Sequence, residues 1–123
     1  IDFGMFLPVQ KAAIAALTGP LDMVKTQCGL YQQRRDALCG GLRSIGWNVP
    51  DSHGSMFVWA PIPENYEKSM DFCLDLVEKS GVLCTPGSSF GPLGEGYVRF
   101  ALTLPPERIA EAVKSIKESG ILN

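Results

Sequence analysis

One long apolar stripe constrains this chain more than any other feature. Between residues 21 and 45, apolar side chains recur at 21, 24, 28, 31, 38, 42 and 45, in alternating steps of three and four, with Arg35 in the one polar slot. That spacing keeps one side of an α-helix apolar, so it predicts a helix over 21–46, packed along its length through the seam. Gly29 and the Gly40-Gly41 pair weaken this helix and favour bends. "YQQRRDAL" reads as its charged face, with Arg35 placed to bury its stem and pair its head with an acid.

The rest of the chain is punctuated more closely. "FLPVQKAAIAALTGP" predicts a short helix over about Val9 to Leu17, stopped by Thr18-Gly19-Pro20. "GWNVP" and "GSMFVWAPIP" read as two strands around a turn at Pro50 to Gly54. A helix near Glu67 to Lys79 follows, with Met70, Cys73, Leu74 and Val77 at i, i+3, i+4 and i+7. "GVLCTP" predicts a short strand, and Tyr97 to Leu102 another. The last helix opens at "PPERIAEAVKSIKESG", with Pro106 in the first turn and Ile109, Ala112, Val113 and Ile116 on its apolar face.

The predicted order is α-α-β-β-α-β-β-α. It implies an α/β (α+β) sandwich: a small, twisted, three- to four-stranded sheet with helices on one face, preceded by the long helix. Within one domain over 1–123, residues 1–20 are an entry segment and short helix. Residues 21–46 are the connecting helix, and 47–123 the sheet-and-helix core. A chain of 123 residues, 46% hydrophobic and 20% charged, can bury such a core.

Charge and cysteine usage exclude several roles. Eleven basic and thirteen acidic side chains are dispersed, with a net charge of −2, so no basic cluster offers itself to nucleic acid or anionic lipid. No apolar run is long enough to span a bilayer. Cys28, Cys39, Cys73 and Cys84 form no C-x-x-C pair and the one histidine, His53, lies in a turn. A metal site is therefore not expected, and the cysteines fit reduced, packed thiols of a cytosolic protein. The chain starts at Ile1, which is read as the start of a fragment of something longer.

The residue that stands out is Arg99. In "GEGYVRFALT", alternation puts Val98, Phe100 and Leu102 on one face and Tyr97, Arg99 and Ala101 on the other. A guanidinium on a rigid strand suits a carboxylate, because its two parallel N–H donors match two oxygens. The strand alone leaves two readings open, this receptor or a surface arginine on a wet sheet face. The preceding loop, "TPGSSFGPLGEG", can bring backbone close to a ligand but has no phosphate-cradling motif. Ser88 and Ser89 have no G-x-S-x-G context.

Taken in order, "PVQKAAIAAL", "YQQRRDAL", "GSMFVWAPIP", "GVLCTPGSSFG" and "GEGYVRFAL" resemble the C-terminal part of the pyridoxal-phosphate-dependent aminotransferases of fold type I, class I/II. The look is similar to the bacterial branch of aspartate and LL-diaminopimelate aminotransferase-like enzymes. The resemblance implies the small C-terminal domain of an enzyme that moves an amino group between an amino acid and a 2-oxo acid. Arg99 falls where the family binds the substrate α-carboxylate. Phe57, Ser89 and Phe90 fall beside the substrate, and Phe3, Gly4 and Met5 on the stretch approaching the partner subunit's cofactor in the family dimer.

The family's Schiff-base lysine falls outside the matching segments. Lys11, Lys25, Lys68, Lys79, Lys114 and Lys117 read as helix-surface residues, so no catalytic residue and no cofactor binding are expected of this chain alone. Its implied partners are the N-terminal large domain and the substrate. The alternatives are a non-catalytic small-molecule-binding or interaction module, and another class I/II enzyme such as a carbon–sulfur lyase.

Overall fold

A computed structural model describes residues 4–122. The chain falls into two compact units, Ile1–Leu30 and Tyr31–Asn123. In the first, helix α1 (Leu7–Thr18) starts with proline in its first turn and buries none of its residues. Helix α2 (Asp22–Ser44) runs unbroken through Gly29, Gly40 and Gly41, and its buried residues are Leu38, Cys39 and Leu42 only. The expectation of a seam packed along the whole helix is thus corrected. Leu21, Val24, Cys28 and Leu30 are exposed, because periodicity shows which side can be covered without supplying the cover. Arg35 is half-buried and donates from Nε and Nη2 to Asp36 Oδ1 at 2.9 and 2.6 Å.

The second unit holds the sheet. Strands β1 (Phe57–Pro61), β2 (Thr85–Pro86) and β3 (Tyr97–Ala101) lie in the order β1-β3-β2, all antiparallel. Among the described residues three strands form, the lower of the three to four expected. "GWNVP" lies outside the sheet, because its hydrogen bonds go elsewhere. The Trp47 amide donates to the Leu42 carbonyl (3.0 Å), and Arg43 Nη1 donates to the Val49 carbonyl (2.9 Å). Pro50 has no N–H to offer a ladder. Trp47 and Val49 are buried all the same, and Trp47 Nε1 donates to the Pro61 carbonyl at 2.8 Å. "GVLCTP" forms a ladder only at its last two residues.

Helices α3 (Ser69–Ser80) and α4 (Pro106–Ser119) complete the layer against the sheet. Val58, Ala60, Val98 and Phe100 point from the sheet into one core with Leu42, Phe72, Leu76, Ile109, Val113 and Ile116. The helices therefore cover one face, as expected. The α4 stripe is read correctly, but that of α3 is not. Phe72, Cys73 and Leu76 are buried with Ser69, whereas Met70, Leu74 and Val77 are exposed. At Gly41 the helices α2 and α4 approach so closely that a Cβ would stand 2.9 Å from Val113 Cγ2. Among the described residues no helix is long and apolar enough to cross a membrane.

Candidate functional site

Arg99 occupies the centre of the central strand, its Cα paired with Trp59 of β1 on one side and Thr85 of β2 on the other. Because side chains alternate, its neighbours Val98 and Phe100 enter the core while Arg99 stands on the face without helices. The guanidinium is half-buried there by aromatic rings. Its carbon lies 4.1 Å from the Phe57 ring centroid and 4.4 Å from that of Phe90, within cation–π range of both.

Its hydrogen-bonding edge is the unusual part. Arg34 donates to the Leu102 carbonyl, Arg35 pairs with Asp36, Arg43 with Asp51 and Arg108 with Glu111. Among the described residues the guanidinium of Arg99 enters no ion pair and donates no hydrogen bond. A guanidinium lying over two rings, with its N–H edge unpaired among the described residues, has the donor geometry that suits a planar anion.

The backbone that carries each ring is tied down. The Phe57 amide donates to Ser55 Oγ (3.1 Å), and its carbonyl accepts from the Ser52 hydroxyl (2.8 Å). Phe90 ends the first of two 3-10 turns, Gly87–Phe90 and Pro92–Gly94, formed by the loop between β2 and β3. Gly87 and Gly94 are buried where these turns cross. The loop is also tied to α3. The Ser69 hydroxyl donates to Ser88 Oγ at 3.1 Å, and the Ser69 and Gly96 amides donate to Glu95 Oε1 at 2.7 and 2.9 Å. These two amides, Ser69 first, hold the Glu95 carboxyl below its ordinary pKa.

The remaining candidates scatter. Ser89 is exposed on the same turn as Phe90, and among the described residues its side chain makes no hydrogen bond. Gly4 and Met5 are exposed in the unit Ile1–Leu30, and Phe3 lies outside the described residues. His53 is exposed. A cavity of about 670 Å³ runs along the β2 edge between Val82–Thr85 and α4; Arg99 borders it, but Phe57 and Phe90 do not.

Sequence reading missed Trp59, which shares this face. Its ring meets Phe90 edge-on and stacks on Tyr97, with centroids 5.7 Å apart in each case. Alternation from Phe57 was the signal that could have found it.

Lysine placement decides whether these residues could hold a carbonyl cofactor. In the unit Tyr31–Asn123, Lys68, Lys79, Lys114 and Lys117 are all exposed, on or just before the helices that cover the opposite face. No lysine of that unit stands at the Arg99 face, so its residues do not fit pyridoxal phosphate by themselves. Among the described residues no cluster of metal-ligating side chains forms either.

Fold and site together define a small α/β domain with an arginine at the centre of its sheet beside two aromatic rings. The profile of the family described as "Aminotransferase class I and II" matches residues 4–116, and the chain belongs to that family. It is 47% identical over 121 residues to the LL-diaminopimelate aminotransferase of Halothermothrix orenii, covering 98% of this chain and 31% of the relative. The Moorella thermoacetica protein of the same name is 44% identical over 117 residues, covering 95% and 30%. The structure of an aminotransferase from Staphylococcus aureus superposes with a TM-score of 0.87 at 31% identity, covering 99% of this chain and 32% of that one. The chain thus spans under a third of these relatives, and matches their C-terminal part.

Proposed function

We propose that the chain is the C-terminal part of a pyridoxal-phosphate-dependent aminotransferase that moves an amino group between an amino acid and a 2-oxo acid, with Arg99 binding the substrate's α-carboxylate. One observation carries this reading: a mid-strand arginine whose guanidinium lies over the rings of Phe57 and Phe90, with its N–H edge unpaired among the described residues. The rings displace water from the guanidinium without offering it a competing acceptor, and the rigid strand fixes where the fork points. The substrate's amine is then presented in a constant orientation, whatever side chain it carries.

Pyridoxal phosphate, when bound in the intact enzyme, supplies the electron sink for the amino transfer. The lysine that holds it belongs to the N-terminal large domain in this reading. Phe57, Ser89 and Phe90 border the substrate. The intact enzyme is a cytoplasmic homodimer in which Phe3, Gly4 and Met5 approach the partner subunit's site. Three buried free thiols support a reducing compartment. In this arrangement 21–46 is the connecting helix and 47–123 the core of the small domain. The names of the relatives make LL-diaminopimelate the amino donor to try first.

The test replaces Arg99 by lysine in the intact enzyme containing this chain, which keeps the charge and loses the fork. A charge-assisted hydrogen bond contributes on the order of 1.5–3 kcal/mol, or roughly 10- to 150-fold in kcat/KM. The loss is expected for every amino acid and 2-oxo acid tried, with cofactor content unchanged. Unaltered kinetics would rule out the carboxylate role.

A further inference from the structure

The outer face of the sheet carries a row of rings that ends on Arg99. Tyr97 and Trp59 stack with planes 20° apart, Trp59 meets Phe90 at 67°, and Phe90 lies 4.4 Å from the Arg99 guanidinium carbon. Trp59 is the Cα partner of Arg99 across the ladder, and its ring meets Phe90, which in turn lies against the guanidinium. Phe90 is half exposed on a 3-10 turn, so that turn alone does little to fix its ring. Trp59 stands on a strand and is held from behind by Tyr97.

We propose that Trp59 is a positioning residue for Arg99: it holds Phe90 against the guanidinium and so keeps the fork in its carboxylate-binding orientation. The inference rests on Arg99 being the anchor. An arginine side chain has several rotatable bonds, and the rotamers it loses on binding weaken affinity. A guanidinium already held against two rings has lost part of that freedom beforehand. If Trp59 goes, Phe90 is released, one of the two rings leaves the guanidinium and Arg99 regains that freedom. The carboxylate contact is made alike in the ground and transition states, so the cost falls on KM and spares kcat.

The experiment is a double-mutant cycle in the intact enzyme. Trp59→Leu is expected to raise KM about 3- to 10-fold for both the amino acid and the 2-oxo acid, a range set by the worth of one cation–π wall. The inhibition constant of propionate, a bare carboxylate, should rise in parallel, while kcat changes by less than about 2-fold. Trp59→Phe keeps a flat ring against Phe90 and Tyr97 and should restore most of the loss. In an Arg99→Lys background, Trp59→Leu should add less than about 2-fold, because the fork it serves is gone.

Equal Trp59→Leu effects in both backgrounds would overturn the proposal, showing that Trp59 acts on the substrate or on folding directly. Silence of Trp59→Leu beside a damaging Arg99→Lys would overturn the positioning role and leave the anchor standing. Silence of Arg99→Lys itself would remove the anchor, and this inference with it.

Discussion

Gly87 and Gly94 touch backbone to backbone: a Cβ on Gly87 would stand 1.9 Å from the Gly94 carbonyl oxygen, and one on Gly94 2.1 Å from that of Gly87. Neither obstacle is a flexible side-chain tip, so neither can move aside cheaply. This crossing pins the loop that carries Phe90 to the start of β3, where the same Gly87 Cβ would also meet the Tyr97 carbonyl at 2.6 Å. Gly87→Ala should therefore lower stability by on the order of 3 kcal/mol, at the upper end of overpacking costs. Gly40→Ala is the control. A Cβ there meets nothing within 4 Å, and alanine inside a helix should be neutral or stabilising by up to about 1 kcal/mol. Melting curves of the two variants decide between a required contact and mere loop preference.

Glu95 makes the same loop sensitive to acid. It caps α3 from 26 residues away, accepting the Ser69 amide as well as the adjacent Gly96 amide, while Lys68 at the N-cap gives no side-chain bond. Its pKa is depressed in the folded state from an ordinary 4.5, chiefly by the Ser69 amide and then by Gly96. A depressed carboxyl contributes stability that is present above its unfolded pKa and lost as pH falls through the folded one. The difference in Tm between the wild type and Glu95→Gln should thus be full near neutrality and shrink below about pH 4.5. Asp51 and Asp75 are also held low, by Arg43 and Lys79, so the wild type will go on losing stability in acid for other reasons. A difference independent of pH between 3 and 7 would show that the cap needs no charge.

Some of this was legible in sequence because strand geometry leaves little choice. A period of two puts Arg99 opposite Val98 and Phe100 whatever surrounds it, and that alone fixes the face of the sheet on which it stands. The α4 stripe was equally plain, with Pro106 marking its start. What failed depended on distant groups. "GWNVP" has strand-like residues, but the end of α2 takes the amide of Trp47 and Arg43 takes the carbonyl of Val49. The first half of the α2 seam is apolar in sequence and exposed in this structure. The stacking of Phe57 and Phe90 on Arg99 joins three separate segments, and no local pattern announces it.

The four cysteines should separate cleanly by reactivity. Cys28 is exposed, whereas Cys39, Cys73 and Cys84 are buried, and burial pushes all three of those thiols upward in pKa. Cys73 and Cys84 lie with sulfurs 3.2 Å apart, as neighbouring thiols inside the core. Since the thiolate is the reactive form, a disulfide reagent near neutral pH should titrate one thiol quickly and the other three only on unfolding. Rapid reaction of three or four in the native protein would show that α3 and the segment before β2 open readily.

Helix α3 offers the sharpest test of the packing, because two stripes compete on it with identical spacing. Ser69, Phe72, Cys73 and Leu76 stand at i, i+3, i+4 and i+7, and so do Met70, Cys73, Leu74 and Val77. Hydrophobicity favours the second set, which contains no serine, yet the structure buries the first. The reason is non-local. Ser69 satisfies its hydroxyl with Ser88 and its amide with Glu95, so burying it costs little, and Phe72 sits edge-on to Trp47 and Tyr66 at 5.3 and 5.1 Å. Leu76 is fully buried, whereas Leu74 is 58% exposed. Leu76→Ala should therefore cost about 2–5 kcal/mol by loss of burial and creation of a cavity. Leu74→Ser should change the stability of this chain by no more than about 0.5 kcal/mol. Chemical denaturation of the two variants measures both values. Comparable losses would mean that α3 is rotated from the orientation described, and with it the tie that Ser69 makes to the loop carrying Phe90.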